Sequence, residues 1–295
     1  KALAALGGTN LLKGEVSQAA SYLNQANALF EQLDDSVGQV QSSNQMGIAF
    51  ATTGKFYKAI HSFQKSLDLS RQLERPSSLV TALNNLGECY QLLYATDLAI
   101  ACHREGLDLA ETANFKLLEA DLCRNLGLDL AQQQAWQESE QFLQRAHTLA
   151  LEIKAPEIYY HTLFAQARVA LAQGNSDGQR YAQELLAATQ SRWHQANGLF
   201  VLGQFEQENG HFSAAEELWQ EALFLAHETE NRVLLWQLHA ALAKIANKPS
   251  LAAVHNRIAG EVIEQIAEPF GDDEVIACFF AAAPVTAVFN QGQPN

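Results

Sequence analysis

The chain has 295 residues, of which 48% are hydrophobic and only six are proline, so a sizeable core is available and general disorder is excluded. Its 33 acidic and 19 basic residues give a formal net charge of −14, a surface that repels phosphate backbones and speaks against direct nucleic-acid binding. No apolar run reaches the roughly 18 residues of a membrane span, and no signal-peptide pattern opens the chain.

In chain order, the first feature is a glycine that returns every forty residues. Gly7, Gly47, Gly87 and Gly127 each follow a bulky apolar residue, namely Leu6, Met46, Leu86 and Leu126. Glycine inside a helix costs about 1 kcal/mol relative to alanine, so four at one phase need a cause. Close helix–helix approach, where a Cβ would clash, supplies one. Other columns share the period. Twelve residues after the glycine stand Ala19, Ala59, Ala99 and Ser139; sixteen after it stand Leu23, Phe63, His103 and Leu143. Nineteen after it come Ala26, Ser66, Gly106 and Ala146. Large and small residues alternate as interdigitated antiparallel helices require. Each unit therefore reads as two amphipathic helices joined by a short turn, with Gly14, Gly54 and Gly210 at the reversal.

The predicted units run over residues 1–35, 36–75, 76–115, 116–155, 156–191 and 192–230, with the first helix of a seventh at 231–246. The array thus spans 1–246, and 247–295 holds the last repeat helix, a cap and a tail. Unit five is degenerate: Gln179 takes the place of the small residue, and Gly174-Asn175-Ser176-Asp177-Gly178 suggests a looser turn and a shifted helix. Residues 274–285, with Phe279, Phe280 and a Pro284-Val285 step, read as a closing segment, and 291–295 as a frayed end.

Met46, Gly47, Phe50, Gly54, Phe56, Ala59 and Phe63 form a pattern that resembles the tetratricopeptide repeat. Leu202, Gly203, Gly210, Phe212, Ala215, Trp219 and Ala222 repeat it. The resemblance implies an all-α, right-handed α-α superhelix with a C-terminal capping helix. The usual unit has about 34 residues, so a forty-residue unit implies a longer second helix. Long repeats and such a tail are similar to those of bacterial multidomain signalling and transcription regulators. Together with Lys1 as first residue, this suggests a segment of a larger protein.

The sequence offers little chemistry. No phosphate-binding glycine loop occurs, and His227-Glu228 is followed by Asn231 where a zinc motif needs histidine. Cys102-His103 is a lone neighbour pair, with His103 in the slot held by Phe63 one unit earlier. The four cysteines lack a disulfide or CxxC spacing and read as reduced thiols in a cytoplasmic protein. Acidic runs at Asp34-Asp35, Glu216-Glu217 and Asp272-Asp273-Glu274 read as surface. No catalytic residue, metal or cofactor is assigned, and no enzyme is predicted.

In a tetratricopeptide array the first helices line a concave groove, and residues just before the Leu-Gly pair face it. Here these are Asn44, Gln45, Asn84, Asn85, Arg124 and Asn125, a polar ladder flanked by Thr81, Glu88, Gln91, Asp121 and Arg168. Carboxamides carry a donor and an acceptor each, suiting them to an extended peptide backbone. The expected partner is a protein or peptide, with no direct nucleic acid, no membrane and self-association left open. The alternatives are amides that pair between repeats, a small-molecule sensor arm around Phe164 and Phe200, and a self-associating array. Phe164, Ala165, Phe200 and Val201 should make the later half of the groove apolar.

Overall fold

A twenty-residue step governs the chain. In the computed structural model, residues 1–12, 15–270 and 273–290 are described, without the Leu12 side chain. The predicted turn glycine Gly14, Asp272 of the acidic run and the tail 291–295 lie outside them. The described residues form the helices α1 (Ala2–Leu12), α2 (Val16–Gln32), α3 (Ser36–Thr52), α4 (Phe56–Gln72), α5 (Pro76–Leu92), α6 (Thr96–Thr112), α7 (Lys116–Gln132) and α8 (Trp136–Glu152). They continue with α9 (Pro156–Ala172), α10 (Asp177–Ala188), α11 (Arg192–Glu208), α12 (Phe212–Glu228), α13 (Arg232–Ile245), α14 (Pro249–Ala267), α15 (Glu274–Ala281) and α16 (Ala283–Asn290). From Val16 to Pro156 every helix starts twenty residues after the last, and each from α2 to α9 is 17 residues long. The extra length over a 34-residue unit is therefore shared by both helices of a hairpin and is not confined to the second. Among the described residues there is no strand, and no helix is long and apolar enough to cross a membrane.

The step is set at the turns. At the end of α2, the Asp35 N–H donates to Phe30 O (2.9 Å) and the Asp34 N–H to Glu31 O (3.3 Å). That pair of bonds is a Schellman motif, which needs a left-handed residue just past the helix. The same two bonds recur after α3 through α9, and after α11 and α12. Glycine holds the left-handed position at Gly54, Gly174 and Gly210, but Asp34, Glu74, Tyr94, Asn114, Gln134, Lys154 and Glu230 hold it elsewhere, with φ between 50° and 60°. Starts are marked less uniformly: Asp35 caps α3 by accepting from the Gly38 N–H (2.9 Å), while α5, α9 and α14 open on a proline.

Packing explains the glycine ladder. A Cβ on Gly7 would lie 2.5 Å from Leu23 Cγ, and one on Gly127 would lie 2.6 Å from Leu143 Cγ. Gly47 meets Phe63, Gly87 meets His103 and Gly203 meets Trp219 in the same way. The partner always stands sixteen residues on, in the second helix of the hairpin. Leu23, Phe63, His103, Leu143 and Trp219 are all buried, as are the small residues Ala19, Ala59, Ala99, Ser139 and Ala215 beside them. Where the large residue is polar it finds a carbonyl: His103 Nε2 lies 3.3 Å from Asn84 O, and Trp219 Nε1–H donates to Phe200 O (3.0 Å). Burying Leu23, Phe63 or Leu143 contributes roughly 1.5–3 kcal/mol, more than the cost of about 1 kcal/mol of the glycine opposite.

The chain divides into two units, residues 1–126 and 127–295, the border falling inside α7. From α1 to α6 each helix packs on the next, and the first helices α1, α3 and α5 also touch in series. The second unit centres on α11, with Phe200, Val201, Leu202 and Phe205 packed among Ala215, Trp219, Leu234 and Leu238. Here α10 has only 12 residues and ends at Thr189 in an extended conformation, so α11 begins 36 residues after α9. The small residue expected at Gln179 stands at Gly178, where a Cβ would be 2.5 Å from Phe205 Cζ. The closing segment is two helices, because the Ala282 backbone turns extended before Pro284. Helix α16 packs on α14 and α15, burying Phe279, Val285 and Val288.

Candidate functional site

Helices α3, α5 and α7 place their amides on one face because the residues two and three before each ladder glycine point away from the second helix. Ten of the eleven predicted residues lie on these three helices, in the first unit. Asn85 Nδ2 donates to Asn44 Oδ1 (2.9 Å), joining α5 to α3. The Gln45 side chain lies against Gly8 of α1, where a Cβ would come within 2.9 Å of its Nε2.

Between α5 and α7 the side chains close a ring. Asn125 Nδ2 donates to Asn84 Oδ1 (3.0 Å) and to Glu88 Oε1 (3.1 Å), and Asn84 Nδ2 donates to Asp121 Oδ2 (3.2 Å). Arg124 completes it with Nη2 at 2.6 Å from Asp121 Oδ1 and 2.7 Å from Glu88 Oε1. Gln91 Nε2 donates to the Asn125 carbonyl (3.0 Å) beneath. Burial works against the charge of Arg124, but Asp121 and Glu88 outweigh it and hold the guanidinium above its ordinary pKa. Charge-assisted bonds of this kind fix side-chain positions more strongly than neutral ones.

The ladder is thus two layers. Asn84, Gln91, Arg124 and Asn125 are buried, while Asn44, Gln45, Asn85, Glu88 and Asp121 are half-buried and reach the surface. Two acceptors in this face, Gln45 Oε1 and Asn125 Oδ1, are buried without a hydrogen-bond donor. Thr81 stands apart from the network, its hydroxyl donating to Ser77 O in its own helix (2.9 Å). Arg168 belongs to the second unit, on α9, with its guanidinium 5.5 Å above the Phe164 ring.

The expected apolar stretch of groove is not open. Ala165, Phe200 and Val201 are buried in the second unit's core, and Phe164 packs against it. These residues do stand two and three before Ala167 and Gly203, at the ladder phase, but α9 and α11 pack on each other there. A cavity of about 700 Å³ lies instead among α8, α9 and α10, lined by Gln137, Gln141, Gln144, Gln166, Gln173 and Tyr181.

Residues 38–112, about a quarter of the chain, match the tetratricopeptide repeat family. No curated protein matches the chain significantly. Among solved structures, a Rap protein complexed with competence and sporulation factor is 12% identical with a TM-score of 0.69, over 93% of this chain and 84% of that one. NprR in complex with its cognate peptide NprX is 10% identical with a TM-score of 0.69, over 97% and 86%. Aspartyl phosphate phosphatase F from Bacillus subtilis is 11% identical with a TM-score of 0.60, over 94% and 77%. At these identities the likeness establishes the fold: an all-α array of tetratricopeptide-type hairpins.

Proposed function

We propose that the face of α3, α5 and α7 binds an extended peptide or protein segment, without catalysis. The observation that carries this is the layered ladder, in which a hydrogen-bonded ring of Asn84, Asp121, Arg124, Asn125 and Glu88 stands beside the half-buried pair Asn44 and Asn85, themselves joined by a hydrogen bond. Preorganised amides bind a backbone with little ordering cost. Two carboxylates against one guanidinium leave the ring net negative, favouring a neutral or basic ligand over an acidic one. The peptide complexes of a Rap protein and of NprR support the reading by analogy of fold. The array would extend over 1–246, closed by 247–295, inside a larger cytoplasmic regulatory protein.

Peptides selected by display against the purified chain provide the test. The double variant Asn44→Ala/Asn85→Ala removes the outer pair and leaves the ring of Asn84, Glu88, Asp121, Arg124 and Asn125 in place. Selected peptides should bind it at least tenfold more weakly, as loss of two net hydrogen bonds of roughly 1 kcal/mol each implies. Equal binding with an unchanged circular dichroism spectrum would reject the face as the site. A saturable thermal shift by small metabolites, abolished by changes at Gln141 and Gln166 in the α8–α10 cavity, would favour the sensor reading instead.

A further inference from the structure

A second cluster, in the other unit, has a different chemistry. Helix α9 carries Glu157 and His161 one turn apart, and α11, which packs on α9, carries His194 near its start. One ligand atom from each lies within 4.8 Å of the other two, and His194 Nε2 is 3.7 Å from Glu157 Oε2. His194 is 3% exposed, yet neither of its ring nitrogens has a hydrogen-bond partner. Buried polar atoms left in that state are rare and costly. The contrast with His103 and Trp219 is direct, since both find a carbonyl. Aromatic neighbours hold the His194 ring in place: Trp193 at 5.1 Å between centroids, Tyr160 at 5.4 Å and His161 at 4.7 Å.

We propose that Glu157, His161 and His194 form a binding site for a divalent transition-metal ion, Zn²⁺ foremost, that ties α9 to α11. Two imidazoles and a carboxylate are a zinc donor set, leaving a fourth position open to water or an incoming group. Calcium and magnesium require oxygen ligands throughout and do not fit. With zinc–ligand bonds of about 2.0–2.1 Å, tetrahedral donors stand roughly 3.4 Å apart, so the cluster must close by up to about 1.4 Å. Glu157, whose side chain is 70% exposed, has room to take up part of that movement. The ion would satisfy the buried imidazole nitrogen that the protein itself leaves unpaired.

Calorimetry with ZnCl₂ on the chelator-stripped chain tests this. One zinc should bind saturably, raise the melting temperature and be indifferent to excess MgCl₂. Glu157→Gln, on the surface, should weaken zinc at least tenfold, and His161→Ala should abolish the response, both with unchanged helicity. Co²⁺ loaded in place of zinc should quench tryptophan emission through Trp193 and show no thiolate charge-transfer band. No saturable zinc binding by the wild type would overturn the site. So would unchanged affinity in both variants, a thiolate band that moves the ion to Cys102 or Cys278, or loss of binding only on His239→Gln.

Discussion

Gly127 and Leu143 are one object at the residue scale. A Cβ at 127 would sit 2.6 Å from Leu143 Cγ and 3.2 Å from the Ser139 carbonyl, so the space belongs to the leucine. Gly127→Ala should destabilise by about 1–3 kcal/mol through overpacking. Leu143→Ala should cost about 2–5 kcal/mol through the cavity it opens. The double variant should cost clearly less than the sum, and denaturant titration of all three gives the coupling. Additive costs would mean that the helices do not meet there. This pairing was legible in the sequence, because both residues recur at fixed phase with a spacing of sixteen. The ring around Arg124 was legible only as a list of members. Spacing shows which residues share a face, but not that Asn125 pairs with Asn84 while Asn85 pairs with Asn44. Glu157 and His161 were visible at i, i+4, but His194 joins them only through the packing of α11 on α9.

At the scale of elements, the helix ends carry more regularity than the helices. Seven non-glycine residues occupy left-handed backbone where glycine would be unstrained. Lys154→Gly should therefore stabilise by roughly 0.5–1 kcal/mol, net of the added entropy of the unfolded chain, and raise the melting temperature. A loss of stability would show that Lys154 is held by contacts beyond its turn. Glycine at only three such turns hid the twenty-residue step and left the forty-residue ladder as the visible signal. The fifth hairpin shows the limit of column counting. Gln179 was expected in the small slot, but an Asx turn at Asn175, whose Oδ1 accepts from the Asp177 N–H (3.0 Å), starts α10 so that Gly178 fills it.

On the scale of the whole molecule, the two units can be followed separately. All four tryptophans, Trp136, Trp193, Trp219 and Trp236, lie in the second unit, so their emission reports it alone while helicity reports both. The second unit also holds His239, whose pKa is pushed down to about 4 by burial, with His255 and His227 adding to the shift. Its Nδ1 lies 2.8 Å from His255 Nδ1, and Glu216 acts on His255 in the opposite sense. Above pH 6.5 neither folded nor unfolded chain protonates His239, so stability is unaffected. Between pH 6.5 and 4 the unfolded chain takes a proton that the folded chain refuses, costing about 2 kcal/mol by pH 5. Tryptophan emission should thus lose its native form at milder acid in the wild type than in His239→Gln; identical midpoints would refute this. The turns also give the chain a reading frame. Since the reversals after first and second helices have the same form, an insertion of twenty residues would add a helix without disturbing its neighbours' ends. It would also exchange the roles of every helix downstream, setting amide rows where small-residue rows belong. Forty residues restore the roles, which makes the hairpin, and not the helix, the smallest unit this chain can gain or lose. The four residues missing between α9 and α11 leave α11 a first helix, because α10 is five residues shorter and the turn before it one residue longer.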